Sequence, residues 1–311
     1  MRAIVTGGAG FIGSHVVDAL VARGDDVLVL DDLSHGKREN VNPSARLLVL
    51  DIRERGGVDD AFGEHRPEAC FHLAAQADVR VSVERPDHDC EVNVLGTIHL
   101  LEAARTHGTR IVFSSTGGAI YGECAEPASE TAAREPLAPY GTAKLAAEEY
   151  LATYNRLYGS DHTALRYGNV YGPRQDPHGE AGVVAIFLGR LGRGEAPHVY
   201  GDGRQERDYV YVGDVAQVSI TALDRPAGVF NVGTGVPSSV LRLLEGCLLV
   251  TGVEVEPVFD PPRLGELQRS VLDPGLAERE LGFRAQTGLD AGLAATWDWF
   301  RAEGDRSAGA N

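Results

Sequence analysis

Tyr140 and Lys144, in the run Tyr140-Gly141-Thr142-Ala143-Lys144, are the pair best suited to moving a proton. Four apart on a helix, two side chains share one face. An ammonium beside a phenol lowers the phenol pKa and makes a base that works near neutrality. The run Ser114-Ser115-Thr116 closes an apolar strand pattern and offers hydroxyls to the same place. In a doubly wound sheet, strands deliver such residues to a crevice at their carboxyl ends.

A second set of residues suits a dinucleotide. Thr6-Gly7-Gly8-Ala9-Gly10-Phe11-Ile12-Gly13 follows a strand pattern and opens a helical one. Small residues there let the backbone N–H groups of a helix N-terminus approach a pyrophosphate. Asp31 ends the next strand pattern. A carboxylate at that place accepts hydrogen bonds from a ribose diol and repels a 2′-phosphate, so NAD is expected rather than NADP.

The elements that must carry these groups alternate. Strand patterns lie at 2–6, 27–30, 47–50, 70–73, 111–114 and 163–166, and further ones at 209–212 and 229–232. Between the first two, Val16, Val17, Leu20 and Val21 fall at helical spacing, and the last helix is read over 289–300. The alternation implies an α/β protein with a Rossmann-type doubly wound parallel sheet and a smaller, interleaved C-terminal substrate domain. Residues 1–166 form the cofactor part with a return segment around 209–234, residues 167–208 and 235–303 the substrate part, and 304–311 a frayed tail.

Composition narrows the partners. The 311 residues hold 29 Lys+Arg against 45 Asp+Glu, a net charge of −16. Such a surface repels nucleic acid and anionic lipid, so neither is an expected partner. An anionic ligand must then be met by local arginines. Cys70, Cys90, Cys124 and Cys247 stand far apart and read as structural thiols. The histidines lack metal-ligand spacing, His72 reads as the end of a core strand, and no metal is expected. Without a signal pattern or a membrane-length apolar run, a cytoplasmic protein is expected.

These motifs occur together with HLAAQADVRVSV from His72, SSTGGAIYG from Ser114, RYGNVYGPRQDP from Arg166, YGDGRQERDYVYVGDV from Tyr200, NVGTG from Asn231 and PRLGE from Pro262. As an ensemble the chain resembles the extended short-chain dehydrogenase/reductase family, and within it the bacterial UDP-glucose 4-epimerase branch.

The resemblance implies that Gly7, Gly10, Phe11, Ile12 and Gly13 hold the NAD pyrophosphate, Asp31 the adenosine ribose, and Asp51 and Ile52 the adenine. It implies Leu73, Ala74 and Ala75 along the path to the nicotinamide ribose, with Asn93, Ser114 and Tyr167 completing the cofactor set. Tyr140 would be the base, Lys144 its electrostatic partner, and Thr116 the hydroxyl on the reacting sugar oxygen. An extra glycine in that loop leaves Ser115 open as the alternative. Asn169, Arg207 and Arg263 would bind the diphosphate, Tyr200 the uracil and Glu266 the uridine ribose, with Ser82, Val183 and His198 completing the UDP-sugar set. A plainer pairing of Arg207 with Asp208 and of Arg263 with Glu266 stays open. The resemblance also implies a homodimer through helices at 91–106 and 140–158, with Leu95, Leu100, Leu101 and Ala104 as apolar surface.

The expected reaction is epimerisation at sugar C4 of a UDP-hexose through a transient 4-keto sugar. A glucuronate substrate stays open because the sequence does not define the C6 contacts, and an N-acetylglucosamine substrate because Ser270 is small where some relatives carry a bulky Tyr. Gly168 stands where many relatives carry Phe or Ala beside the nicotinamide pocket. A dehydratase or decarboxylase is disfavoured, since Thr116-Gly117-Gly118-Ala119 holds no carboxylate. A non-catalytic NAD sensor would not be expected to keep Thr116, Tyr140 and Lys144 together.

Overall fold

Strand β1 (Arg2–Thr6) shows how the layers arise. Ala3 and Val5 enter one apolar core while Ile4 enters another, because successive side chains of a strand leave opposite faces. Both faces therefore need covering, and the chain supplies helices in turn. The computed structural model describes residues 1–177, 182–263 and 266–309. After β1 come α1 (Phe11–Ala22), β2 (Asp26–Asp31), β3 (Arg46–Val49), α2 (Arg55–His65) and β4 (Ala69–His72). Then follow α3 (Val79–Glu84), α4 (Pro86–Cys90), a π-helical stretch (Glu91–Leu95), α5 (Gly96–His107), β5 (Arg110–Thr116), α6 (Gly117–Ile120), α7 (Pro139–Tyr158) and β6 (Thr163–Tyr167).

The rest of the chain holds β7 (Asn169–Tyr171), α8 (Val183–Gly192), β8 (His198–Tyr200), β9 (Glu206–Tyr211), α9 (Val212–Thr221), β10 (Val229–Val232), β11 (Pro237–Ser239) and α10 (Val240–Thr251). It closes with β12 (Val258–Asp260), β13 (Arg269–Ser270), α11 (Gly275–Leu281) and α12 (Leu289–Gly309). The large sheet has the order β3-β2-β1-β4-β5-β6-β10, and every pair in it is parallel. Strand order reverses between β1 and β4, which opens a crevice at their carboxyl ends. A small sheet is built around β9, which pairs with β7, β11 and β13, and β8 pairs with β12 beside it. Its core joins Tyr171, Phe187, Leu188, Tyr209, Leu243, Leu244 and Leu293.

The expected doubly wound sheet is present, and its strands lie within one residue of the sequence patterns except β5, which runs two residues further, to Thr116. Several local expectations differ. Of the return segment, α9 packs on α1 and β10 joins the large sheet, but β9 stays in the small one. Helix α11, read as part of the substrate domain, buries Ala277 and Leu281 in the core of the large sheet. Helix α12 runs to Gly309, past the point at which the tail was expected to fray. Leu100, Leu101 and Ala104 are buried against their own sheet rather than offered to a partner, and only Leu95 of that set is exposed. Among the described residues no helix is long and apolar enough to cross a membrane.

One buried ion pair ties the layers on the α7 side. Arg166 of β6 and Glu148 of α7 are 2% and 3% exposed, with Nη2 to Oε2 at 2.6 Å and Nε to Oε1 at 2.9 Å. Arg166 Nη1 also donates to Tyr121 OH at 2.6 Å, and that hydroxyl donates to Asn231 Oδ1 at 2.7 Å. Removing one partner of such a pair strands the other charge away from water. Arg166→Met is expected to lower unfolding free energy by about 3–5 kcal/mol in urea titration at neutral pH. A loss below about 1 kcal/mol, the scale of a surface pair, would contradict this.

Candidate active site

The glycine-rich loop crosses the crevice at its narrowest point. Gly7 has φ +69°, and a Cβ there would lie 2.6 Å from the backbone nitrogen of Ala74. A Cβ on Gly13 would meet the Gly7 carbonyl oxygen at 2.1 Å. Larger residues would push α1 off the loop. Gly10 caps α1 without a side-chain bond, so the first N–H groups of the helix, beginning with Phe11 and Ile12, have no partner within it. Thr6 Oγ1 accepts from the nitrogens of Leu73 and Ala74 at 3.2 Å and bonds His72 Nδ1 at 2.8 Å. His72 Nε2 reaches Thr97 Oγ1 at 2.9 Å. His72 is thus a clamp between elements; burial, then the Lys144 charge, hold its pKa well below the usual value. No cluster of metal-ligating side chains occurs among the described residues.

A cavity of about 270 Å³ follows this loop, lined by Gly7, Gly10, Asp31, Asp51, Ile52, Leu73, Ala74 and Ala75 among others. Asp31 is tied to the loop, accepting from Ala9 N and Leu33 N at 2.9 Å each. Burial raises its carboxyl pKa, and those two bonds lower it part of the way back. Phe11, Ile12, Gly13, Tyr140 and Lys144 are not on this wall, and neither are Asn93, Tyr167 and Ser114. Asn93 is buried in the π-helical stretch, donating to the Gln76 carbonyl at 2.8 Å and to Asp89 Oδ1 at 3.0 Å. Tyr167 is packed in the core with its hydroxyl 2.9 Å from Ser219 Oγ. Ser114 meets the site through its carbonyl, which accepts from Lys144. Sequence reasoning missed Gln76 and Arg53 on the cavity wall and Asp89 behind it. Gln76 Nε2 donates to Asp89 Oδ1 at 2.9 Å, and Asp89 Oδ2 has no hydrogen-bond partner among the described residues.

Helix α7 brings the proton-moving pair to the end of β5. A Cβ on Gly141 would lie 2.3 Å from the Ala119 carbonyl oxygen, so only glycine lets the helix start this close to α6. Lys144 Nζ donates to the Ser114 carbonyl at 2.9 Å and lies 4.7 Å from the Phe113 ring centre. Burial lowers the ammonium pKa and the charges of Asp89 and Glu148 raise it part of the way back, leaving it at about 8. The Tyr140 pKa runs opposite to expectation: burial, then the Asp89 charge, push it up rather than down.

The two candidate hydroxyls separate cleanly. Ser115 is buried and donates to Glu148 Oε1, which removes it from the cleft. Thr116 starts α6 without capping it, although threonine is a good capping residue. A Cβ built on Gly118 would lie 3.9 Å from Thr116 Oγ1, 3.7 Å from Asn169 Oδ1 and 4.0 Å from Ser270 Oγ. These three polar atoms therefore converge on one point.

A cavity of about 550 Å³ is lined by Asn169, Val183, His198, Tyr200, Arg207, Arg263 and Glu266 together with Arg190, Gln205 and Tyr209. The Arg263 guanidinium stacks 4.0 Å above the Tyr200 ring. Arg207 Nη2 lies 3.7 Å from Glu266 Oε1, not on Asp208. Asp208 is instead buried, accepting from Thr234 N at 2.7 Å, Thr234 Oγ1 at 2.6 Å and Gly235 N at 3.0 Å. Ser82 is not on this wall; it is buried and donates to the Val79 carbonyl of its own helix at 2.7 Å. Arg190 was legible in principle, since Val183, Ile186, Phe187 and Arg190 fall at helical spacing on α8.

The sequence model of the NAD-dependent epimerase/dehydratase family matches residues 3–233. The chain belongs to that family. A UDP-glucose 4-epimerase of Mycolicibacterium smegmatis is 47% identical over 310 residues, covering 97% of this chain and 99% of its own. The crystal structure of a Thermotoga maritima UDP-glucose 4-epimerase with UDP-glucose superposes with TM-score 0.96 at 48% identity, covering 97% and 99% of the two chains. That of a Thermus thermophilus UDP-glucose 4-epimerase complex with NAD gives 0.92 at 50% identity, again covering 97% and 99%. The glycine cradle, which leaves space and backbone N–H donors at the switch point, and Asp31, a carboxylate that can accept from a ribose diol, fit the family's cofactor. Gly7→Ala is expected to weaken NAD binding at least tenfold in calorimetry on cofactor-stripped protein. Unchanged affinity would show that the pyrophosphate lies elsewhere.

Proposed function

We propose that this chain is an NAD-dependent UDP-hexose 4-epimerase, with UDP-glucose and UDP-galactose as its substrates. The observation that carries the reading is the convergence of Thr116 Oγ1, Asn169 Oδ1 and Ser270 Oγ around Gly118. All three are hydroxyl or amide oxygens. A dehydratase or decarboxylase would be expected to place a carboxylate after the active-site hydroxyl, where this chain has two glycines.

Tyr140 takes the proton of the sugar 4-hydroxyl, and Thr116 holds the same oxygen by a hydrogen bond. NAD, when bound, would supply a reversible hydride acceptor. Lys144 stands one helical turn after Tyr140, on the same face of α7, with its Nζ held by the Ser114 carbonyl. After the 4-keto sugar turns over, Tyr140 returns the proton to its oxygen as the hydride comes back to C4, giving the other epimer. At the far end Arg207 and Arg263 meet the diphosphate, which a protein of net charge −16 needs. Asn169, which lines the same cavity while its Oδ1 stands by Thr116, binds where the diphosphate meets the sugar; Tyr200 offers its ring to the uracil and Glu266 its carboxylate to the ribose. Val183 and His198 complete that wall. A second reading is favoured by Ser270, which is small and stands at the sugar end. UDP-N-acetylhexosamines fit as secondary substrates, avoiding the overpacking cost of about 1–3 kcal/mol that a filled site imposes.

The partner we propose is a second copy of the chain. Leu95 with Tyr150, Leu157 and Tyr158 of α7 are exposed apolar or aromatic groups. Tyr150, Leu157 and Tyr158 recur at helical spacing. A cytoplasmic setting agrees with four cysteines that are all unpaired.

Purified protein with NAD and no added reductant should interconvert UDP-glucose and UDP-galactose, read by NMR, with slower conversion of UDP-N-acetylglucosamine. Tyr140→Phe should lose about 10²–10⁴-fold in turnover while retaining NAD. Near-normal turnover in that variant, or a keto product released from the wild type, would refute the reading. Light scattering at micromolar concentration should give the mass of two chains, and a mass of one chain would refute the dimer.

A further inference from the structure

Three consecutive residues of β5 meet α7 and the cleft in three different ways. The Ser114 carbonyl receives Lys144 Nζ at 2.9 Å. The Ser115 hydroxyl donates to Glu148, which stands one helical turn after Lys144. The Thr116 hydroxyl is left for the cleft, beside Asn169 and Ser270. Strand and helix are thus joined by two rungs, at helix positions i and i+4, directly beneath the groups that meet the substrate.

The lower rung cannot drift, because its acceptor is held from the other side. Glu148 takes both Nε and Nη2 of Arg166, and Arg166 is the partner of Ser115 in the β5–β6 register. Arg166 is in turn fixed by Tyr121 and by the Glu130 carbonyl at 3.3 Å. Just above, the strand stops. Thr116 is the last residue paired with β6, and α6 begins at Gly117 with another glycine behind it. Two glycines give the backbone no side-chain packing of its own to hold Thr116 in place.

We propose that Ser115 is a positioning residue, whose bond to Glu148 sets the height and rotation of Thr116 over the substrate. Ser115 itself touches no substrate. Its hydroxyl is spent beneath the sheet, so it acts only through its neighbour. The inference rests on the reading of Thr116 as the hydroxyl that holds the reacting oxygen. Misplacement of such a group by a fraction of an ångström is costly, because reacting atoms must be held in near-attack geometry.

The test is a double-mutant cycle on the full-length protein with NAD bound. Ser115→Ala should lower kcat about tenfold with KM within about twofold and NAD affinity unchanged. In a Thr116→Ala background the same change should cost less than about twofold, because the residue it positions is gone. An equal loss in both backgrounds, a change confined to KM, or no loss in the wild-type background would overturn the proposal. The Thr116→Ala arm separates the two ideas. If that variant alone keeps full kcat, the assigned role of Thr116 fails. If it loses kcat and the cycle is additive, only the role of Ser115 fails. Should Ser115→Ala melt early, Ser115→Cys with its weak donor gives a second arm, whose kcat loss must likewise vanish in the Thr116→Ala background.

Discussion

A cation and an anion almost fully removed from water impose the strictest demand in this protein. Arg166 and Glu148 can stay charged at 2% and 3% exposure only if every remaining donor and acceptor is matched. The matching groups come from far apart in the chain: Ser115 at the end of β5, Tyr121 after α6, the Glu130 carbonyl, and Asn231 of β10 through Tyr121. Satisfying one pair therefore fixes the mutual placement of β5, β6, β10, α7 and the loop between α6 and α7. Thr116, Tyr140 and Lys144 are hung on those same elements. Apolar substitutes could fill the volume, but they would not specify which strand end faces which helix turn.

The crevice obeys a constraint of a different kind. Backbone must approach backbone where Gly7, Gly13 and Ala74 meet, and no side chain fits between them. Close approach leaves the first N–H groups of α1 facing the opening. Hydrogen bonds from Thr6, His72 and Thr97 hold β1, β4 and α5 in the matching position. A histidine held neutral by burial serves well there, because one ring nitrogen can donate while the other accepts.

Charge is managed locally against a surface of net −16. Arg190, Arg207 and Arg263 gather around the cavity of about 550 Å³, with Arg207 near Glu266 and Arg263 over the Tyr200 ring. At Tyr140 and Lys144 the balance is finer. Lys144 is pulled down by burial and raised by Asp89 and Glu148, whereas Tyr140 is raised by burial and Asp89 together. One buried carboxylate thus favours the charged lysine and the neutral phenol at the same time.

By itself the sequence determined the alternating strands and helices, the glycine turn, Asp31, the Tyr140–Lys144 spacing and the arginines near Tyr200. Each of these depends on chemistry within a few residues: periodicity, a turn that admits only glycine, one helical turn. Tertiary structure alone decided the matters that depend on distant partners. Ser115 and Thr116 are adjacent hydroxyls that no local rule distinguishes; strand alternation against Glu148 sends one beneath the sheet and the other into the cleft. Asn93, Tyr167 and Ser82 are polar residues in plausible places whose hydroxyls or amides are spent inside the fold. Leu100, Leu101 and Ala104 form an apolar stripe that fits a partner or the chain's own sheet equally well in sequence. The direction of the Tyr140 pKa shift was likewise invisible, because desolvation is set by what packs around the phenol and not by the lysine one turn away.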